Sequence, residues 1–156
     1  MTSVLFEGSA IVTVDDSNSV LDPGWIFIRN DIIENIGKGE APKNIRKEAD
    51  EIIGASGSAI MPGMVNGHTH LFQTFFRGLA DDKPLLDWLE ESIWPGASEL
   101  DADSAKAAAM LGLIENLRGG ATTVVDHQYI HVDPQIDDAV CQAASEVGLR
   151  FILASG

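Results

Sequence analysis

The chain has 156 residues, which is enough for one domain of ordinary size or for part of a larger protein. Its 45% hydrophobic content predicts a packed core, and its net charge of −14 argues against nucleic acid or an anionic membrane as a partner. No apolar run is long enough to span a bilayer. Cys141 is the single cysteine, so no internal disulfide can form. We therefore expect a cytoplasmic protein in a reducing compartment, with Cys141 buried on a helix.

Residues 1–61 read as short β-strands separated by turns. Strands are predicted where β-branched residues cluster, and turns where Asp, Asn, Pro and Gly cluster. The predicted strands are 4–6, 10–14, 24–28, 32–36, 51–53 and 59–61. Asp22-Pro23-Gly24 is predicted as a turn, and residues 38–50 as a surface loop or a short helix. The expected product is a small antiparallel sheet.

From residue 62 onwards, strands alternate with helices. The predicted strands are 64–70, 121–126 and 149–154, and the predicted helices are 101–117 and 135–147. The last two strands are near-continuous apolar or β-branched runs, as is typical of strands buried on both faces of a parallel sheet. The order β-α-β-α-β predicts an α/β fold.

The length of this region allows two interpretations. A closed (β/α)₈ barrel takes about 250 residues, whereas residues 62–156 have room for only three strands. If the fold is a barrel, these residues are its first three β/α units, and the chain is expected to continue beyond Gly156. An open three-stranded parallel sheet that is complete at 156 residues is the alternative.

Residues 71–100 form an unusually long connection between the first of these strands and its helix. Connections of this length in α/β units are usually lids or binding loops, so we interpret 71–100 as an active-site loop. Residues 85–93 carry apolar residues at helical spacing, which predicts a short amphipathic helix. Trp88 and Trp94 lie in this loop, either lining a site or packing the loop onto the body of the fold.

His68 and His70 are the candidate metal ligands. Their i, i+2 spacing on a strand puts both imidazoles on the same face. Two neutral imidazoles from one strand make a natural half-site for a divalent ion. A polar strand end with two unrelated histidines is the alternative interpretation.

Several sequence blocks together resemble the start of the barrel in the amidohydrolase superfamily. The resemblance is closest to its cytosine-deaminase-like branch, which includes guanine, 8-oxoguanine, isoxanthopterin and S-adenosylhomocysteine deaminases and the triazine hydrolases. The matching blocks are MPG (61–63), VNGHTH (65–70), LFQTFFRG (71–78), PLLDWL (84–89) with IWP (93–95), and GATTVVDH (120–127).

This resemblance implies a metal-dependent (β/α)₈ TIM barrel, beginning at residue 62, preceded by a small β-sandwich segment. Residues 1–61 form that segment, and its other half is expected at the C-terminal end of the full-length protein. The resemblance also implies one divalent metal ion, with zinc favoured and iron as the alternative, and His68 and His70 as two of its ligands. Two further histidines, an aspartate and the glutamate that shuttles protons are expected beyond Gly156. No catalytic residue is therefore expected in this stretch, which should be inactive by itself.

The activity implied is that of a cyclic amidine deaminase, a hydrolase acting on C–N bonds other than peptide bonds. A metal-bound hydroxide attacks the amine-bearing carbon of a nitrogen heterocycle such as a purine or pterin, and ammonia leaves. A triazine chlorohydrolase or aminohydrolase and an S-adenosylhomocysteine deaminase are alternatives within the family. A non-catalytic α/β binding module is the alternative of another class. The expected partner is a small heterocyclic substrate, and the full-length protein is expected to be a homo-oligomer.

Four residues are candidates for contacts with this substrate. Gln73 offers both a donor and an acceptor to a ring carbonyl and N–H, and Arg77 could meet a carboxylate or another polar edge. His127 ends the second strand at the same face as the metal ligands. Trp94 offers an aromatic surface from the long loop. For Gln73 and Arg77 an exposed loop position is the alternative.

Overall fold

The computed structural model describes residues 2–80 and 82–156. They divide into two compact units, with the boundary after Pro62. In the first unit, five strands and one helix are formed: β1 (Ser3–Val12), β2 (Val20–Arg29), β3 (Ile32–Lys38), α1 (Lys43–Glu48), β4 (Glu51–Gly54) and β5 (Ala59–Ile60). The strand order is β3-β2-β1-β4, and β5 also pairs with β1.

This first sheet is mixed, so the prediction of an antiparallel sheet is wrong. β1 pairs antiparallel with β2, and β2 with β3, because short turns join them. β4 and β5 run parallel to β1: α1 returns the chain to the sheet before β4, and β5 continues in the direction of β4 after a four-residue turn. Ile45 of α1 is buried in one cluster with Leu5, Trp25 and Phe27.

Two predicted strand boundaries are absent. Residues 4–6 and 10–14 were predicted as separate strands, but residues 3–12 form one strand with a register shift around Gly8, whose φ is +83°. The prediction of a turn at Asp22-Pro23-Gly24 is wrong as well, because these residues lie within β2. Pairing passes from Ser9–Gly24 to Ile11–Leu21, so the proline occupies an irregularity, where its missing N–H is tolerated.

The second unit contains a three-stranded parallel sheet in the order β6-β7-β8. Its elements are β6 (Met64–Thr69), a 3₁₀ helix (Leu71–Phe76), α2 (Leu85–Trp88), a π-helical turn (Leu89–Ile93), α3 (Trp94–Ala97), α4 (Ala102–Arg118), β7 (Ala121–Gln128), α5 (Ile136–Val147) and β8 (Arg150–Ser155). The helix predicted at 85–93 is therefore divided into α2 and the π-helical turn. β7 runs two residues further than predicted.

The core of this unit lies between the sheet and its helices. Val124 of the central strand β7 is fully buried, together with Leu113 of α4 and Val140 of α5. At the start of α4, the Asp101 carboxylate accepts a hydrogen bond from the Ser104 N–H at 2.8 Å, and the Asp101 N–H donates to the Ser104 hydroxyl. These contacts fix where the long connection enters α4.

Cys141 is exposed on α5, so the prediction that it is buried is wrong. The buried residues of α5 follow the i, i+3/i+4, i+7/i+8 pattern from Ile136 to Ala144. Cys141 lies outside that stripe. Within residues 2–80 and 82–156, no helix is both long and apolar enough to cross a membrane.

Candidate metal centre

His68 and His70 lie at the carboxyl end of β6, on either side of Thr69. Thr69 pairs with Asp126 of β7, so the two histidines meet the carboxyl ends of the neighbouring strands at one edge of the sheet. The centroids of their imidazole rings are 5.0 Å apart, with the ring planes at 82°. β6 ends at Thr69 rather than at the predicted residue 70, yet the two rings remain neighbours.

The ring of His70 is held in one orientation by the backbone of β7. Its Nδ1 lies 2.9 Å from the carbonyl oxygen of His127. Because a carbonyl only accepts hydrogen bonds, this contact requires the proton on Nδ1, which in the neutral imidazole leaves the lone pair of Nε2 free. Histidine ligands of metals usually donate their other N–H in this way. The arrangement therefore fits His70 as a metal ligand through Nε2.

Two imidazoles are half of a typical zinc ligand set, which has four members. Among the residues that the structure describes, no three His, Cys, Asp or Glu side chains form a group able to hold a metal ion. The chemistry of the donor set fits zinc because imidazole nitrogen is one of its preferred ligands. His68 and His70 could therefore supply only half of such a ligand set.

Asp126 is fully buried at the carboxyl end of β7. Its Oδ1 accepts a hydrogen bond of 2.8 Å from the Leu71 N–H, whereas its buried Oδ2 finds no hydrogen-bond partner in the described part of the chain. Burial raises the pKa of Asp126 to about 6 from its ordinary value of 3.8, although the Leu71 hydrogen bond and the nearby His70 act in the opposite direction. The sequence places Asp126 at the end of a predicted strand, next to His127, and there favours a role in capping or positioning the following loop.

Tyr129 joins the histidine cluster. Its ring centroid lies 5.1 Å from that of His70, 5.5 Å from that of His127 and 5.0 Å from that of Phe72. Its hydroxyl oxygen accepts a 2.6 Å hydrogen bond from Nε2 of Gln73. Burial raises the pKa of Tyr129, and this hydrogen bond opposes the rise. The i, i+2 spacing from His127 was the signal in the sequence that could have identified Tyr129.

A cavity of about 640 Å³ lies beside His70. Its volume is in the range of small-molecule sites. Gln73 and Arg77, two of the four candidate substrate contacts, line it together with Trp88. Trp94 is 46% exposed at the start of α3 and does not line it.

His127 and Arg77 differ in their surroundings. The His127 ring does not line the cavity, but its centroid lies 5.3 Å from that of His70. Arg77 forms a two-pronged ion pair with Glu115 of α4, with N···O distances of 2.5 and 2.7 Å. This contact raises the pKa of Arg77 and lowers that of Glu115. The guanidinium of Arg77 therefore meets a carboxylate of its own chain.

Comparisons with known proteins show which proteins this chain resembles. The chain is 35% identical over 153 residues to a 5-methylthioadenosine/S-adenosylhomocysteine deaminase of Syntrophomonas wolfei, covering 98% of this chain and 33% of the relative. The fold is similar to that of atrazine chlorohydrolase from Arthrobacter aurescens TC1 complexed with zinc, with a TM-score of 0.82, 27% identity, and coverage of 97% of this chain and 35% of that one. It is also similar to an adenosine deaminase from Xanthomonas campestris with bound zinc, with a TM-score of 0.81, 27% identity, and coverage of 96% and 33%.

The chain spans about a third of the length of the curated relatives that it matches. The family model that matches it is that of the amidohydrolase family, and the match extends over residues 59–156. This range contains His68 and His70, the long connection 71–100 and all three strands of the parallel sheet. The chain belongs to the amidohydrolase family.

Proposed function

We propose that this chain is the N-terminal part of a metal-dependent hydrolytic deaminase that acts on an amine-bearing nitrogen heterocycle, with the purine ring favoured. The observation that carries the proposal is the hydrogen bond from His70 Nδ1 to the His127 carbonyl, which leaves Nε2 free beside the ring of His68. Similarity to a 5-methylthioadenosine/S-adenosylhomocysteine deaminase supports the purine ring and hydrolytic removal of its amine.

The fold of the complete protein is part of this proposal. Residues 62–156 are the first three β/α units of an eight-stranded barrel, and residues 1–61 are one half of a small β-sandwich. The parallel order β6-β7-β8, with α4 and α5 as the crossovers, supports the barrel. The site then lies at the carboxyl ends of the strands, where barrels of this kind build their active sites.

The metal site is proposed to hold zinc, with iron as the alternative. His68 and His70 would hold the ion through imidazole nitrogens, and the remaining ligands come from residues beyond Gly156. When bound, the ion supplies a hydroxide at neutral pH because it lowers the pKa of water from about 15.7 to about 7. Similarity to two zinc-bound structures supports the choice of zinc.

The residues of this chain bind and orient the substrate. Gln73 donates to Tyr129 through Nε2, so its Oε1 remains free to accept an N–H from the ring of the substrate. Trp88 lines the same cavity and offers an apolar face on which a flat ring can stack. The loop 71–100 carries both residues and forms one wall of the site.

Ammonia release by the full-length protein tests this function. The panel contains S-adenosylhomocysteine, 5-methylthioadenosine, adenosine, guanine and a pterin, each assayed with added zinc and after chelation. We expect zinc-dependent ammonia release from at least one purine-containing compound. No ammonia from any ring would overturn the deaminase assignment.

A triazine hydrolase is the second candidate. It is favoured by the similarity to atrazine chlorohydrolase, which has a TM-score of 0.82. The ion that His68 and His70 would hold would supply the same hydrolytic chemistry for a chlorinated triazine as for an amine-bearing purine. Chloride release from atrazine, without ammonia release from purines, would favour this candidate.

A further inference from the structure

Asp126 holds the backbone at the point where the chain leaves His70. The Leu71 N–H donates to Oδ1 of Asp126 at 2.8 Å. Leu71 begins the 3₁₀ helix and is 1% exposed. The hydrogen bond therefore fixes the peptide group that directly follows His70 within a packed environment.

The end of β7 contacts the His70 region through two consecutive residues. The carbonyl of His127 accepts from Nδ1 of the His70 ring, and the carboxylate of Asp126 accepts from the next backbone N–H. One contact orients the ring, and the other orients the backbone that carries the ring. If the backbone contact is lost, the ring can also move away from the His127 carbonyl.

The burial of Asp126 indicates that this contact has a role beyond packing. A buried carboxylate with one oxygen lacking a partner among the described residues costs free energy. Val124, two residues earlier on the same face of β7, is also fully buried and contributes to the core without that cost. An apolar side chain at position 126 could pack there but could not accept the Leu71 N–H.

We propose that Asp126 is a positioning residue for His70. It anchors the Leu71 N–H and thereby keeps the His70 ring against the His127 carbonyl, so that Nε2 would be available to hold a metal ion. The proposal rests on the proposed function because it assigns His70 as a metal ligand. Residues that support metal ligands in this way typically affect metal affinity by about 10-fold to 100-fold when they are changed.

The test compares three variants of the full-length protein. Asp126→Ala removes the acceptor, and Asp126→Asn retains an oxygen that can accept the Leu71 N–H. Val124→Ala is the matched control, since it shortens a buried side chain on the same face of the same strand. Zinc affinity is measured by competition with a chelating dye, and folding is checked by circular dichroism.

We expect zinc affinity to fall by at least about 10-fold in Asp126→Ala and to change by less than about threefold in Asp126→Asn and Val124→Ala. Wild-type affinity in a folded Asp126→Ala protein would overturn the proposal. An equal loss in Asp126→Asn and Asp126→Ala would overturn it too, because the negative charge rather than the Leu71 contact would then be responsible.

A second measurement does not depend on zinc or on the folding of Asp126→Ala. Nitrogen NMR of the His70 ring, together with hydrogen exchange of the Leu71 amide, is recorded on the metal-free wild-type and Asp126→Asn proteins. We expect the Nδ1–H tautomer and a protected Leu71 amide in both. An unprotected Leu71 amide in the wild type would overturn the positioning role. Failure of the wild type to bind zinc while these signals are present would instead refute the proposed metal site.

Discussion

Replacing Asp126 by Asn should change how the stability of the metal-free protein depends on pH. Burial raises the pKa of Asp126 from 3.8 to about 6 in the folded protein. The folded state therefore keeps a proton on this carboxyl at pH values where the unfolded chain has lost it. The cost of burying the carboxylate is absent below pH 4, and it is fully present above pH 6. The rise in the pKa from 3.8 to about 6 lowers the free energy of unfolding of the wild type by about 3 kcal/mol at pH values above 6, since each pKa unit corresponds to about 1.4 kcal/mol.

The assay is denaturant unfolding of the metal-free full-length wild type and Asp126→Asn at pH 4 and pH 7.5. Asparagine carries no charge at either pH and keeps an acceptor for the Leu71 N–H. We expect the free energy of unfolding of Asp126→Asn, relative to wild type, to rise by about 2–3 kcal/mol between pH 4 and pH 7.5. Asp138→Asn, which changes an exposed carboxylate on α5, is the matched control. A relative stability that is the same at both pH values would refute the reasoning.

Three further changes test the site and its support. His70→Ala should lower zinc affinity by more than about 100-fold, measured in a dye-competition assay. His131→Ala should leave zinc affinity unchanged, because the His131 ring contacts Gly156 and not the other histidines. Equal losses in the two variants would contradict this. Gly112→Ala should cost about 1 kcal/mol in denaturant unfolding, because a β-carbon there would lie 2.8 Å from Leu71 Cδ2 and 2.9 Å from Thr74 Oγ1, and this crowding outweighs the roughly 1 kcal/mol that alanine gains over glycine within a helix; a stability above that of the wild type would contradict the close packing of α4. Leu113→Ala should cost about 2–5 kcal/mol in the same assay, because Leu113 is fully buried; a cost below about 1 kcal/mol would be evidence against its place in the core.

The alternation of strands and helices in the second unit was predictable from the sequence. Helices predicted at 101–117 and 135–147 agree within one residue with α4 and α5, because residues that commonly begin or end helices, such as Asp101, Gly119 and Gly148, flank them. The first unit was harder to predict. Asp22-Pro23-Gly24 has the composition of a turn but lies within a strand, and only the pairing with β1 shows that the strand is irregular there.

The candidate site was predictable only where its signal is local. The spacing of His68 and His70 along one strand was enough to identify them as a pair. The role of Asp126 depends on a contact with Leu71 across 55 residues and on complete burial, and neither is visible in a periodic pattern. Tyr129 likewise acquires its place from the folding of three segments around the His70 ring.

Anomalous diffraction at the zinc edge, from crystals of the full-length protein grown with zinc, tests the proposed metal site most directly. We expect one strong peak at about 2.0–2.1 Å from a ring nitrogen of both His68 and His70, with His70 coordinating through Nε2. A folded protein with no peak at these two histidines, or with zinc bound only elsewhere, would contradict the proposed site.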